Sequence, residues 1–253
     1  MYFYIYDSFL NQKKYENILH RIERRIFDLG LSGYVEKLTI LKSMKEIVGE
    51  AVRRNADTIV AVGNDQTVNK IISFLPNHST VLGIIPVGEK NRIAHVLGVE
   101  EGEKACDTLS ARIIEKIDLG KVNNCYFLSC LEIPYEENLT MECENYNIMP
   151  LAPQHISICN FGNIFKPGLE KMNNPKDGLL EAVITEKRKF SLGDLFKQST
   201  ARASVFPIKR IKIKSAGESI PLVADGSTIV KTPVMVEVLP KRLKIIVGKN
   251  RLF

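Results

Sequence analysis

No stretch of this 253-residue sequence approaches the roughly 18–20 apolar residues of a bilayer-spanning helix, so no membrane-crossing helix is expected. The opening MYFYIYDSF has no basic flank before its apolar residues and no small-residue cleavage site, which argues against a signal peptide. Cysteine is sparse and scattered. Cys106, Cys125, Cys130, Cys143 and Cys159 include no CxxC pair and no close His partner. A zinc site or disulfide framework is therefore not expected, and reduced, buried thiols in a cytoplasmic protein are. The four histidines, His20, His78, His95 and His155, have no acid or nucleophile at motif spacing and read as surface or packing residues. There is no internal repeat, no low-complexity segment and no Trp. What remains is ordinary for a soluble globular chain, 45% hydrophobic and 25% charged, with length for one large domain or two modest ones.

The net charge of +6 is unevenly spread. From Lys187 to the end there are 15 Lys and Arg, opposed only by Asp194, Glu218, Asp225 and Glu237. Such a face suits an anionic partner such as the lipid head groups of an anionic membrane surface, a nucleotide or nucleic acid. IKRIKIK also simply alternates apolar and basic residues, as the solvated side of strands does. No aromatic residues interleave with the basic ones, so nucleic acid is not an expected partner. Oligomeric state is not readable from the sequence.

The first half alternates strands and helices. Strands are expected at Tyr2–Tyr6, Val35–Leu41, Thr58–Val62 and Val81–Pro86. Tyr15, Ile18, Leu19, Ile22, Ile26 and Leu29 keep helical spacing, with Gly30 placed to end the helix. Ser43 is placed to cap a second helix, and Thr67–Leu75, Asn91–Leu97 and Glu101–Ala111 read as further helices. This order implies a parallel sheet covered on both faces. After about Arg112 the segments become short, β-rich and turn-punctuated, interrupted by one helix at SLGDLFKQ with Ser191 as its cap. The expected fold is an α/β domain over residues 1–115, then an all-β, sandwich-like domain over 116–253 whose last strand could return to the first domain.

Two loops carry the chemistry. IVAVGNDQTVNKI passes from a buried strand through Gly63–Gln66 into a helix, at the strand end where open parallel sheets bind ligands. Backbone N–H groups and the helix dipole there favour a phosphate. Gly63 allows close backbone approach, Asn64 tolerates the left-handed conformation, and Thr67 is positioned to cap the helix. Gln66 stands where a phosphate would approach. One βα unit later, GIIPVGEKNRIAHVLGV turns at Gly88 into another helix, so two loops of this kind share one sheet edge.

These two segments resemble the catalytic domain of the diacylglycerol kinase family, most closely its soluble bacterial lipid kinases, which share a superfamily with NAD kinases. Their loops read GGDGTxNE and PxGTxND. IDLGKVNNCYF, NPKDGLLEAVI and PLVADGSTIVKTPVMVEVLPKRLKIIV resemble, in order, the family's crossing segment, its DDGLLDV strand and its terminal DGE segment. The resemblance runs over roughly residues 35–248. It implies ATP and Mg2+ as cofactors, with Gly63, Asp65, Thr67, Asn69, Gly88 and Asn91 around the nucleotide. It also implies that Asp65 and Asp225 position magnesium and substrate as the catalytic pair. A structural magnesium held by a carboxylate and two backbone carbonyls falls on Asp177, Asn174 and Leu179; an Asp-Gly turn that needs no ion is the other reading.

The departures sit on the functional positions. Asn64, Gln66 and Lys70 replace Gly, Gly and Glu, while Glu89 and Arg92 replace Thr and Asp. Ser227 replaces the Glu taken as general base, and a Ser hydroxyl has no useful basicity near neutral pH. YDSFLN stands in place of a Gly-rich NPxSG loop. The resemblance therefore implies either ATP-dependent phosphoryl transfer to a lipid hydroxyl such as that of diacylglycerol, or a non-catalytic relative that binds nucleotide, lipid or a protein partner. NAD kinase activity is a weaker third reading. The expected location is cytoplasmic, with peripheral membrane contact left open.

Overall fold

The computed structural model describes residues 1–39, 42–75, 79–136, 139–144, 146–150, 154–161, 174–185 and 203–253. The expected helix at SLGDLFKQ, and His78, lie outside these residues. The chain divides into two compact units, one of residues 1–117 with 241–253 and one of 118–240.

In the first unit, strands β1 (Tyr2–Tyr6), β2 (Gly33–Lys37), β3 (Thr58–Gly63) and β4 (Val81–Pro86) alternate with helices. The helices are α1 (Glu16–Asp28), α2 (Met44–Arg53), α3 (Asp65–Ile72), α4 (Arg92–Val96) and α5 (Ala105–Ala111). The sheet order is β2-β1-β3-β4, all parallel. Residues after Lys241 return to this unit, where Ile245 pairs with Leu82 in parallel. Every residue of β3 and β4 is buried, as both-face coverage demands, which is why their sequences are continuous apolar runs. β2 lies at the sheet edge and instead alternates between exposed and half-buried residues.

Among the boundaries that differ from the sequence expectation are those of the second strand and the third helix. The second strand runs Gly33–Lys37 rather than Val35–Leu41, because Gly33 pairs with Tyr2 so closely that a Cβ there would stand 2.3 Å from the Tyr2 carbonyl oxygen. Its last two expected residues lie outside the described ones. The third helix starts at Asp65, two residues before the expected start, because Asn64 and not Thr67 is its cap. The second helix begins as expected at Ser43, whose hydroxyl and the Glu46 carboxylate satisfy each other's backbone N–H groups.

The second unit is antiparallel. Its elements are β5 (Ile114–Val122, entered from the first unit), β6 (Cys125–Phe127), β7 (Cys130–Glu136), β8 (Leu139–Cys143) and β9 (Asn147–Ile148). They continue with β10 (Gln154–Cys159), β11 (Leu180–Thr185), β12 (Ala203–Ile208), β13 (Arg210–Ser215), β14 (Pro221–Ala224), β15 (Thr228–Lys231) and β16 (Val234–Ile246). One sheet has the order β12-β11-β10-β7-β14-β15, and a second pairs β13 with β16 on one side and with β8 on the other. Leu131, Ile133, Ile156, Ile158 and Ala182 from the first sheet meet Met141, Ile211, Ile213 and Val236 from the second in one buried cluster, which makes this unit a sandwich. β5 and β6 form a hairpin in which Gly120 lies under the Phe127 ring, where a Cβ would come within 2.0 Å of it.

The outer side of β13 carries the basic run. Lys214 bonds to Glu142 at 2.6 Å, while Arg210 and Lys121 share Glu237 at 2.9 and 3.0 Å. Glu142 precedes Lys187 in the chain, so the face is less positive than the charge excess from Lys187 onward implies. No described helix is long and apolar enough to cross a membrane.

Candidate functional site

Gly63, Asp65, Thr67, Asn69, Gly88 and Asn91 gather at the C-terminal edge of β3 and β4 in the first unit, where Gly63 pairs with Pro86. Gly63 is required there: its φ is +155°, and a Cβ would stand 2.3 Å from the Thr67 hydroxyl. Asn64 does not adopt the left-handed conformation. Its φ is −106°, and its side-chain oxygen accepts from the Gln66 N–H at 3.1 Å and the Thr67 N–H at 3.4 Å. The Asp65 N–H donates to the Lys90 carbonyl at 3.1 Å. The three N–H groups that open this helix are thus satisfied within the protein.

The Thr67 hydroxyl is satisfied internally as well. It is fully buried, accepts from the Asn64 N–H at 3.2 Å and donates to the Asp7 carboxylate at 2.8 Å. Asp7 follows β1 directly, is only 6% exposed, and has the Lys70 ammonium 3.9 Å away. A buried carboxylate therefore stands beside the loop. Asp7 was not among the residues expected from sequence, although an acid directly after an apolar strand was its available signal.

Asp65 joins the two loops. Its carboxylate accepts from the N–H groups of Arg92 and Ile93, both at 3.0 Å, and so caps α4. Burial nevertheless pushes its carboxyl pKa up, with the two backbone bonds and the Arg92 charge opposing that rise. Gly88, at φ +92°, lies under the edge-to-face pair Phe9 and Tyr15, and a Cβ there would meet Phe9 at 3.0 Å. Both rings come from YDSFLNQKKY, so the segment that replaces a Gly-rich loop covers this turn with aromatic surface. Glu89 and Gln66 are exposed.

Two acceptors at this edge are buried without a hydrogen-bond partner among the described residues, the side-chain oxygens of Asn69 and Asn91. The Asn91 amide nitrogen donates to the Gly88 carbonyl and to Glu101, both at 3.0 Å. Asn91 also borders an open groove of about 510 Å³ with His95, Val99, Lys104, Asn250 and Leu252.

The remaining expected residues belong to the second unit. Asp225, at φ +48°, turns its carboxylate onto the backbone of the segment after β6. It accepts from the N–H groups of Leu128 at 2.7 Å, Ser129 at 2.8 Å and Cys130 at 3.1 Å. Ser227 is exposed, and its N–H donates to Ala224. Asp177, Asn174 and Leu179 form a turn: the Asp177 carboxylate accepts from the Leu179 N–H at 2.9 Å, and the Asn174 carbonyl accepts from the Asp177 N–H at 3.3 Å. Fully buried Asp118 locks that turn by accepting from the Gly178 N–H at 2.7 Å and donating its own N–H to Pro175 at 2.7 Å. Asn160 then spans Asp118 and Leu128 with its amide nitrogen, at 2.8 and 3.1 Å. One hydrogen-bonded chain therefore connects the Asp177 turn to Asp225. Asn160 was not expected from sequence; its signal is a polar residue ending the apolar run HISIC.

Glu181 is also buried, 7% exposed, and one of its oxygens has no hydrogen-bond partner among the described residues. Burial, with the neighbouring Asp177 charge, pushes its carboxyl pKa up to about 8. The folded protein thus holds this proton while the unfolded chain releases it near pH 4.5. The resulting stability is present below pH 4.5 and is lost as pH rises toward about 8. In the presence of EDTA, Glu181→Gln is expected to flatten that loss. The variant should gain on the order of 2–4 kcal/mol over the wild type at pH 8.5 in urea unfolding, and little at pH 5.

Residues 2–122 match the family described as the diacylglycerol kinase catalytic domain. The diacylglycerol kinase of Bacillus subtilis (strain 168) is 30% identical over 129 residues, 49% of this chain and 43% of that one. That of Staphylococcus haemolyticus (strain JCSC1435) is 35% identical over 83 residues, 31% of this chain and 25% of that one. The alignments therefore span less than half of these curated relatives. A diacylglycerol kinase crystal structure from Bacillus anthracis superposes with a TM-score of 0.77 and 17% identity, covering 99% of this chain and 97% of that one. An NAD kinase from Archaeoglobus fulgidus, solved in complex with ATP, gives 0.65 and 14% over 100% and 96%. At such identities these two superpositions speak for the fold. With its loop motifs at the matching sheet edge, the segment 2–122 belongs to the diacylglycerol kinase catalytic-domain family, and the α/β unit followed by a β-rich unit is the fold it shares with that bacterial kinase.

Proposed function

We propose that this protein binds a nucleotide such as ATP at the edge of β3 and β4, and that it lacks the base needed to transfer a phosphoryl group to a lipid hydroxyl. The observation that carries the second half is the DGS turn. The family's base position is Ser227, and the neighbouring Asp225 carboxylate already accepts three backbone N–H bonds. The binding half rests on the unpartnered oxygens of Asn69 and Asn91 and on the groove beside Asn91, which offer acceptors and space to a ribose or an amino group. The self-capped α3 makes that binding weak, because a phosphate finds no free N–H group there. A lipid kinase of ordinary rate is the second reading, favoured by the retention of Asp65 between the two loops. The basic outer face of β13 would serve either reading as a contact to anionic lipid.

A magnesium ion fits the Asp177 turn chemically. The donors are a carboxylate and the carbonyls of Asn174 and Leu179, all hard oxygens, while the neighbouring Glu181 carboxyl, which keeps its proton up to about pH 8, adds no charge at neutral pH. Among the described residues no three His, Cys, Asp or Glu side chains gather into a metal-binding group, so the two carbonyls are needed. An ion there would steady the turn and neutralise its charge. Mg2+ at about ten times its dissociation constant is expected to raise stability by roughly 1.4 kcal/mol, and Asp177→Asn to abolish that gain in thermal denaturation.

Transfer is tested with labelled ATP and diacylglycerol-containing vesicles. Wild type is expected to give no product above background, and Ser227→Glu to give measurable product. Turnover by the wild type within the ordinary kinase range would establish the second reading instead.

A further inference from the structure

Cys130 and Cys159 lie directly opposite each other on the antiparallel strands β7 and β10. The next pair outward, Ser129 and Asn160, is joined by an N–H···O bond of 2.9 Å. Hydrogen-bonded and non-hydrogen-bonded pairs alternate along an antiparallel ladder, so the cysteines occupy a non-hydrogen-bonded position. The other bonds of Cys130 agree. Its N–H goes to the Asp225 carboxylate and its carbonyl takes the Asp225 N–H, both away from β10. At such positions opposed Cα atoms stand about 4.5 Å apart, inside the span that a disulfide bridges.

We propose that Cys130 and Cys159 are an oxidation site that closes into an intramolecular cross-strand disulfide, fixing the segment that holds Asp225. The oxidant is a hydroperoxide. It enters at Cys130, which is partly exposed, because Cys159 is fully buried. The Cys130 thiol donates to a Glu132 oxygen at 3.2 Å, and the other Glu132 oxygen is 2.9 Å from the His155 ring, so its proton has an acceptor at hand. The thiolate attacks the outer peroxide oxygen, the O–O bond breaks, and the departing alkoxide takes up a proton as an alcohol (water, for hydrogen peroxide). Cys159 then gives up its proton and attacks the sulfenic sulfur, and hydroxide leaves with that proton as water. Two thiols and one hydroperoxide yield one disulfide, one alcohol and one water. The contact with Cys159 and burial both push the Cys130 thiol pKa up, so the first step is expected to be slow at neutral pH and to accelerate as pH rises.

A bridge here would tie β7 to β10 where the Leu128, Ser129 and Cys130 N–H groups clamp Asp225. Loop closure would constrain the 28 residues between the two cysteines in the unfolded chain. The site does not depend on whether the protein transfers phosphate.

The test treats the purified full chain with hydrogen peroxide, blocks remaining thiols, and maps the linkages by mass spectrometry of non-reduced peptides. The expected product is monomeric, two hydrogens lighter, linked Cys130 to Cys159, with Cys106, Cys125 and Cys143 still free. Amide exchange of residues 128–130 should slow about tenfold and recover on reduction. Cys130→Ser and Cys159→Ser should each yield no bridge; because the linkage is mapped in wild type, a variant that fails to fold leaves the test intact. Five free thiols after oxidation, overoxidation of Cys130 without a bridge, or a linkage to another cysteine would overturn the proposal.

Discussion

Replacing Asn64 by Gly is expected to tighten Mg-ATP binding about tenfold while lowering stability by only a few tenths of a kcal/mol. The two effects have one cause. In the wild type the Asn64 side-chain oxygen accepts the N–H groups of Gln66 and Thr67, which are the groups an incoming phosphate would need. Binding must therefore break two internal bonds before it makes two new ones. Glycine leaves those N–H groups without a side-chain acceptor, so a phosphate has no internal bond to displace, and as an N-cap it costs little relative to Asn. A gain of about 1.4 kcal/mol corresponds to the tenfold change and is a modest return for two charge-assisted bonds. Gln66→Gly alone removes a side chain and frees no N–H, so it should help less. Isothermal titration of the three proteins side by side measures the order. Equal affinities for wild type and Asn64→Gly would mean that the phosphates do not use the α3 N-terminus.

The second large effect concerns stability. Asp225→Ala is expected to cost roughly 2–4 kcal/mol, measured by urea unfolding at pH 7. It removes the acceptor of three N–H groups, leaving part-buried donors unsatisfied, and it places Ala at a φ of +48° that Asp tolerates better. Asp225→Asn keeps one oxygen acceptor and should lose about half as much. A residue serving only as a catalytic carboxylate would show neither loss, so stability separates a clamp from a reacting group. A fully stable Asp225→Ala protein would remove the main support for treating this carboxylate as a backbone clamp.

Much of the fold was legible because burial writes itself into periodicity. β3 and β4, covered on both faces, are unbroken apolar runs, and α2 announces itself by Ser43 and Glu46. Less was legible where one residue type fits two local structures. Asn64 is equally at home in a left-handed turn and as an N-cap, and only its φ decides between them. Asp225 and Asp65 are acids at motif positions, and no spacing reveals that both spend their oxygens on backbone N–H groups. Asp7, Asn160 and the Cys130–Cys159 pair act through partners distant in sequence. Their roles follow from strand order and register, which local patterns do not encode. The positive charge of the β13 face is overstated in the sequence for the same reason, since Glu142 reaches it from β8.

The most direct measurement is phosphoryl transfer from labelled ATP to diacylglycerol in vesicles, with wild type and Ser227→Glu under identical conditions. No transfer above background is expected for the wild type and detectable transfer for the variant, because the variant restores a carboxylate at the motif position that lacks a base. Wild-type turnover of about 1–100 per second, the usual range for kinases, would contradict that reading.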